Sequence, residues 1–401
     1  MPRSLALAVL DSVLAKRQPF DESFNKNPRT RALDERDRAF AYTLVATTLR
    51  RLGQIDAAID ICLQKPLTPR ARRVRDVLRI GAAQLLFLGT PPHAAVDTSV
   101  ALAASDPRLA SYKGLVNAVL HRLAREGDAI VRTQDAARLN TPDWMWASWC
   151  TVYGEPEARR IAEAHLVQPP IDIAVKSEPS AWAERLGGSL TATGGVRLNG
   201  AASIPSLPGF ADGAWWVQDE AAQMPARLLG WVGGLRVADI GAAPGGKTAQ
   251  LASAGAQVTA IDRSRTRIRM LKENLARLRL SADIVEADAR TWRPSQAFDA
   301  VLLDAPCTAT GTMRRHPDIL RIRHASEVAP AAVLQLELLT AALDMVKPGG
   351  VVVYAVCSLE PEEGPEVVSM VSGVRREEQL RTLPSEGMDG FYAIRLVKEA
   401  G

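Results

Sequence analysis

Apolar residues along the first 135 positions recur at helical spacing, with no convincing strand alternation. Leu5, Val9, Leu10 and Val13 share one face, as do Leu44, Val45, Leu49 and Leu52. Val74, Val77, Leu78 and Leu85 follow, then Leu115, Val116, Val119, Leu120 and Leu123, and this period predicts an all-α bundle. Asp56 and Asp97 look like helix starts, and Pro91-Pro92 is a break. A Trp-rich helical stretch over 142–168 ends at Pro169-Pro170, and Ile171 to Lys176 alternates as a strand. Residues 187–213 are rich in Gly, Ser and Pro and read as loops with short strands. From Leu235 the pattern changes. Strands are expected at 235–239, 257–261, 283–286, 298–303, 350–356 and 391–397, with helices at 246–254, 264–279, 326–346 and 362–372. Such alternation predicts an α/β fold with a doubly wound, Rossmann-like sheet. The expected organisation is an all-α domain over 1–136, a helical connector over 137–170, a small extension over 171–213 and the α/β core over 214–401.

Charge is unevenly spread. Residues 1–140 hold 22 Lys and Arg against 14 Asp and Glu, a surplus of eight, while the remainder hold 27 against 31. A basic helical module beside a slightly acidic core suggests a polyanionic partner, although a solvated helical surface would give the same balance. The four cysteines, Cys62, Cys150, Cys307 and Cys357, include no C-x-x-C pair, so neither a metal site nor a disulfide framework is expected. Cys62 and Cys150 read as small buried hydrophobes. No apolar run approaches the ~18–20 residues of a membrane span. Asp11 interrupts the apolar centre of an amphipathic first helix, so no secretory leader and no membrane partner are expected, and the compartment is the cytoplasm.

The chemistry is concentrated in one glycine-rich loop and two cysteines. Residues 239–248 read Asp-Ile-Gly-Ala-Ala-Pro-Gly-Gly-Lys-Thr. Gly241 to Thr248 matches the phosphate-binding pattern G-x-x-x-x-G-K-[ST], and Leu302-Leu303-Asp304 imitates its companion strand. A phosphate cradle relies on backbone N–H donors. Pro244 removes one at the loop's centre and Asp239 adds negative charge just before it, so a nucleotide triphosphatase is rejected. A class I S-adenosylmethionine site accounts for the same residues. There the glycines let the backbone approach the methionine part, Asp262 accepts the ribose hydroxyls, and Asp288 meets the adenine edge. Each aspartate alone is commonly a solvated loop residue; Asp262, Asp288 and Asp304 at three strand ends make a site. Cys307 closes Asp304-Ala305-Pro306-Cys307, and Cys357 follows the apolar run Val351 to Tyr354. Ligands of an open α/β sheet gather outside the carboxyl ends of its strands. The loop, an acid and two thiols are therefore expected in one crevice, the outline of an enzyme that makes a transient thioether to its substrate.

The loop, Asp-Ala-Pro-Cys-Thr-Ala-Thr-Gly-Thr over 304–312, Arg314-Arg315-His316-Pro317-Asp318, Val356-Cys357-Ser358-Leu359 and Met388-Asp389-Gly390-Phe391-Tyr392 resemble the RNA cytosine-C5 methyltransferases. Asp37 to Phe40, Thr48 to Arg51, Leu78 to Leu85 and Lys113 to Leu120 are similar to the NusB-like RNA-binding fold. Together they resemble the Sun/Fmu (RsmB-like) branch, which modifies 16S ribosomal RNA, over nearly the whole chain and most weakly over 187–213. The resemblance implies S-adenosylmethionine as cofactor, held by Gly241, Ala242, Ala243, Pro244, Gly245, Gly246, Lys247, Asp262, Arg267, Asp288 and Asp304. It implies 16S RNA, naked or in a partly assembled small subunit, as partner. Cys357 is implied to attack C6 of the cytosine and Cys307 to assist release; the DNA enzymes use a Pro-Cys, which would instead favour Cys307 as the nucleophile. Asp304 is implied to hydrogen-bond the target base, with Lys247 orienting it, a cation that otherwise opposes the helix dipole at a helix start. Arg314, Arg315 and His316 are candidates for phosphate or flipped-nucleotide contacts. Three stretches depart from the family pattern. Val356 stands where Thr is usual, Ile319-Leu320-Arg321 replaces Ile-Lys-Trp, and His121 stands where Arg is usual. An added role as an RNA-binding assembly factor, worked by residues 1–135, is a second expectation.

Overall fold

The computed structural model describes residues 1–200 and 203–399, in two units. The first combines Met1–Val167 with the distant stretch Met313–His324. Its main helices run Pro2–Lys16, Glu35–Arg50, Leu52–Cys62, Arg72–Leu86, Pro92–Ala104 and Lys113–Arg132, followed by Asp143–Tyr153 and Glu155–His165. Pro2 and Pro92 occupy first turns, where a missing N–H leaves no bond unmade. The Asp34 side chain caps its helix by accepting from Asp37 N at 2.7 Å. Leu5, Leu10, Leu44, Leu49, Ile55, Leu78 and Leu120 fill one core without measurable exposure, so the faces legible as helical stripes are the faces that pack.

Helix Leu52–Cys62 lacks a capping side chain at Arg51 and is capped from far along the chain. Asn140 Oδ1 accepts from Gly53 N (3.0 Å) and Gln54 N (3.3 Å). The Leu139 carbonyl sits so near that a Cβ at position 53 would meet it at 1.8 Å, and glycine is required there. The stretch Met313–His324 is stitched to these same helices. Arg50 Nη2 donates to Arg314 O (2.7 Å), Phe20 N to Asp318 Oδ2 (3.0 Å), and Arg321 to Leu49 O (3.3 Å) and Asn140 O (3.0 Å). Arg321, one of the departures from the family pattern, thus serves the cohesion of the helical unit.

The second unit spans Gln168–Thr312 and the chain from Ala325 onward. It begins with a four-stranded antiparallel sheet in the order Ser189–Leu190, Val196–Leu198, Ile171–Val175, Trp215–Val217. Ile173, Val196, Leu198 and Trp215 form its core. Asp172, fully buried, is held by both arms of Arg197 at 2.8 Å.

The larger sheet has seven strands: β1 (Arg236–Ile240), β2 (Gln257–Asp262), β3 (Asp283–Glu286), β4 (Phe298–Asp304), β5 (Val346–Val356), β6 (Val374–Thr382) and β7 (Phe391–Lys398). Their order is β6-β7-β5-β4-β1-β2-β3; β7 lies antiparallel to both neighbours and the pairs from β5 through β3 are parallel. The central strands are buried along most of their length, which is why they read as continuous apolar runs. Helices α1 (Gly246–Ser253), α2 (Arg265–Leu278) and α3 (Val328–Met345) connect them. The helix over Ala325–Met345 is long and apolar enough to cross a membrane by length and composition. Here Leu338, Leu339, Ala342 and Met345 pack in the core beside Val301 and Val352.

Two expectations are corrected in this unit. Strand β6 went unread because its sequence, Val-Arg-Arg-Glu-Glu-Gln-Leu-Arg-Thr, is exposed nearly throughout, as suits a charged edge strand. The helix expected over 362–372 is a single turn, Pro361–Glu363, followed by a short helix, Pro365–Ser369.

Candidate active site

The crossover of an open sheet leaves a crevice where neighbouring strands send their helices to opposite faces, and here it falls between β1 and β4. The glycine-rich loop leaves β1 there. Gly241 has φ +79°, and a Cβ on it would meet Asp304 O at 2.3 Å. Gly241 N and Ala242 N donate to Ile261 O (2.9 and 3.2 Å), Ala243 N donates to Asp262 Oδ2 (3.3 Å), and Asn274 holds Pro244 O at 2.9 Å. The loop's early N–H groups are thus spent on protein acceptors. Thr248 Oγ1 donates to Asp239 Oδ2 at 2.5 Å, and Lys247 Nζ reaches Asp304 Oδ2 at 2.8 Å. Lys247, Thr248 and Asp304, which imitated a phosphate cradle, thus have partners within the protein.

Asp239 is fully buried, and burial pushes its carboxyl up to about 7, against the hydrogen bond from Thr248. Lys247 is nearly buried as well. Burial favours its neutral form, but Asp304, with help from Cys357 and Asp239, outweighs that and shifts it upward, so it stays an ammonium.

Asp262 ends β2 almost fully buried; its Oδ1 accepts from Ser264 N (2.8 Å), and Arg267 Nη1 lies 3.4 Å from Oδ2. Asp288 follows β3, and its carboxylate is already gripped by Arg290, with Nη2 to Oδ2 at 2.6 Å. That grip holds it down to about 2. Arg290 continues to Glu337 at 2.9 Å.

The thiols come from adjacent parallel strands. Asp304 of β4 pairs with Ala355 of β5, so Cys307 and Cys357, each a few residues beyond that level, leave the sheet at the same height. Their Sγ atoms lie 3.5 Å apart, and both are free thiols. The Cys307 thiol is pushed well up, first by its hydrogen bond with Cys357, then by burial and by the charges of Cys357 and Glu363. Cys307 therefore keeps its proton.

One cavity of about 250 Å³ is lined by Gly241, Asp262, Arg267, Asp288, Asp304, Cys307 and Cys357, with Ile261, Ala289, Leu334 and Leu338 as its apolar wall. The structure thus brings the acids, both thiols and part of the loop to one place. Arg314, Arg315 and His316 lie on the stretch Met313–His324. They belong to the helical unit, where Arg314 is buried and His316 Nδ1 lies 3.2 Å from Asp21.

Residues 228–395 match the model of the 16S rRNA methyltransferase RsmB/F family, and residues 1–125 match the NusB family. The chain is 34% identical to the ribosomal RNA small subunit methyltransferase B of Cronobacter sakazakii, over 99% of this chain and 98% of that one. It is 35% identical to the enzyme of that name from Pseudomonas putida, over 100% and 99%. The chain belongs to the RsmB/F family. It is an RNA methyltransferase, and as an RsmB/F enzyme it uses S-adenosylmethionine. A solved structure of a methyltransferase homologue from Pyrococcus horikoshii superposes with a TM-score of 0.55 at 28% identity, covering 63% of this chain and 93% of that one.

The cavity suits that cofactor by its donor set. Three carboxylates line it, which would suit a molecule that carries a sulfonium cation, an ammonium and a diol, and the apolar wall would suit a flat base. Sequence reasoning missed Arg290, Gln335 and Glu363 around this RsmB/F site. Arg290 is one of many exposed-looking arginines, and Glu363 is one of three glutamates within Glu360-Pro361-Glu362-Glu363.

Proposed function

We propose that this protein methylates carbon 5 of a cytosine in 16S ribosomal RNA through a transient bond between Cys357 Sγ and C6. The observation that carries the reading is the 3.5 Å approach of Cys307 and Cys357 in the cavity that Asp304, itself paired with Lys247 at 2.8 Å, also lines. Carbon 5 of cytosine is a poor nucleophile. Addition of the Cys357 thiolate to C6 pushes the C5–C6 π electrons into the ring and makes C5 enamine-like, which splits one difficult step into easier ones. Asp304, oriented by Lys247, holds the polar edge of the base while that density arrives. Bound S-adenosylmethionine supplies an electrophilic methyl group, and Gly241, Asp262, Arg267 and Asp288 are the residues that would hold it. Release requires transfer of the C5 proton to water, return of the C5–H electrons to the C5–C6 π bond, and rupture of the C6–S bond with its electrons leaving on Cys357. Cys307, hydrogen-bonded to the departing sulfur, assists that step.

Both faces of the base must be reached, so the cytosine leaves its stack and the target is a loop or an opened helix. The substrate is naked RNA or a partly assembled small subunit, met in the cytoplasm. The surplus of eight positive charges over residues 1–140 supports the helical unit as an arm that holds the phosphate backbone. Incubation of the purified protein with methyl-labelled cofactor and unmodified 16S RNA, followed by digestion to nucleosides, tests the assignment. Label in 5-methylcytidine is expected; label in adenosine, or in protein alone, overturns it.

A further inference from the structure

Glu363 is fully buried and bonded to the residues that follow the two cysteines, and the chemistry proposed above makes no use of it. Its Oε1 accepts from Thr308 N at 2.8 Å and from Gln335 Nε2 at 3.1 Å. Its Oε2 accepts from Ser358 Oγ at 2.5 Å and from Thr308 Oγ1. Thr308 directly follows Cys307, and Ser358 directly follows Cys357. Gln335 also donates to Pro306 O at 2.9 Å, one residue before Cys307. The Glu363 carbonyl accepts from Tyr354 OH at 2.5 Å, on the strand that delivers Cys357. Among the described residues no cation pairs with this carboxylate. Four donors are what make a buried anion tolerable without one.

A role in packing alone would be met by an apolar side chain at less cost, since burying an unpaired charge is expensive. The donors also have a pattern. Three of the four come from the residues next to the two cysteines, and the fourth comes from a side chain that grips the Pro-Cys loop from α3. Parallel strands set the height of the two loops, but nothing in a parallel ladder sets the lateral approach of loops that extend beyond it.

We infer that Glu363 is a positioning residue, resting on the two-thiol chemistry proposed above, that clamps the Cys307 and Cys357 loops together and fixes which thiol acts first. Its charge is among the causes that keep the Cys307 thiol protonated, and its bonds to Thr308 and Ser358 hold the Cys357 sulfur beside it. Without the clamp the sulfurs separate, Cys307 loses its partner, and elimination slows more than addition does.

The test reads the thiols directly. The folded full-length protein is treated with iodoacetamide, and the labelled cysteine is identified by peptide mass mapping. In the wild type Cys357 should alkylate at least about tenfold faster than Cys307. Glu363→Gln should collapse that ratio by about tenfold, lower kcat with the KM for S-adenosylmethionine within twofold, and accumulate a denaturant-resistant protein–RNA adduct. Thr308→Val and Ser358→Ala remove single donors and should move the ratio in the same direction by less. Thr308→Ser keeps the hydroxyl and should restore it, so the clamp stays testable if Glu363→Gln folds poorly. An alkylation ratio and a kcat within twofold of wild type in Glu363→Gln, or in both single-donor variants, overturn the proposal. A wild-type enzyme that makes no 5-methylcytidine overturns the cytosine chemistry instead, and the alkylation ratio still judges the clamp.

Discussion

Lys247 Nζ lies 2.8 Å from Asp304 Oδ2, joining the first turn of the helix after β1 to the end of β4 across 57 residues of sequence. The two partners are unequally placed. The Lys247 side chain retains 10% exposure and Asp304 31%, so losing one is not equivalent to losing the other. Asp304→Asn strands a nearly buried ammonium and should cost about 2–4 kcal/mol of stability. Lys247→Met strands a carboxylate that water can reach, and should cost clearly less. Thermal unfolding of both variants checks the order. Under the proposed chemistry each should lower kcat by about 10²-fold or more, because the cytosine would lose either its partner or the group that aims it.

The two thiols separate by order of events. A nucleophile is needed before the adduct exists and a release group only afterwards. Cys357→Ala should abolish turnover and give no covalent RNA species. Cys307→Ala should still attack and methylate but fail to eliminate, and a denaturing gel should show trapped protein on RNA. The reverse pattern would make Cys307 the nucleophile.

Among the acids of the cavity, Asp262 and Asp288 differ in what already occupies them. Asp262 is almost fully buried and braced by the loop, whereas Asp288 is engaged by Arg290. Loss of a charged hydrogen-bonding group costs about 1.5–3 kcal/mol, roughly 10- to 100-fold in affinity. Asp262→Ala should weaken cofactor binding by that factor in calorimetry with kcat changed far less. Asp288→Ala should have the smaller effect.

Asp239 gives the site a pH dependence. Its folded-state value is raised by burial from the ordinary carboxylate range to about 7. Between about pH 4 and pH 7 the folded protein therefore binds more protons than the unfolded chain. The contribution is fully present below the unfolded value and is lost as pH rises through about 7. The full shift corresponds to roughly 4 kcal/mol. Asp239→Asn stays neutral and keeps an acceptor for Thr248. Denaturant melts from pH 5 to pH 8 should show the wild type losing stability relative to the variant, by about 2–4 kcal/mol.

Some of this was legible in the chain itself. Helical stripes such as Leu44, Val45 and Leu49, and apolar runs such as Ala300 to Leu303, reflect burial on one face or both, and burial is written locally in the residues. The loop over 239–248 and the two cysteines were legible for the same reason, since each follows a strand whose end faces the crevice. The exposed β6 could not be read, because an edge strand facing water carries no apolar period. Three relationships were decided by tertiary structure alone. The parallel register of Asp304 with Ala355 brings Cys307 and Cys357 to 3.5 Å. The packing of Met313–His324 with the helices places Arg321 against Leu49 and Asn140, far from it in sequence. Glu363 is one of three nearby glutamates until folding surrounds it with donors from both cysteine loops. Local burial leaves a periodic mark on the sequence, whereas a hydrogen bond between distant residues leaves none.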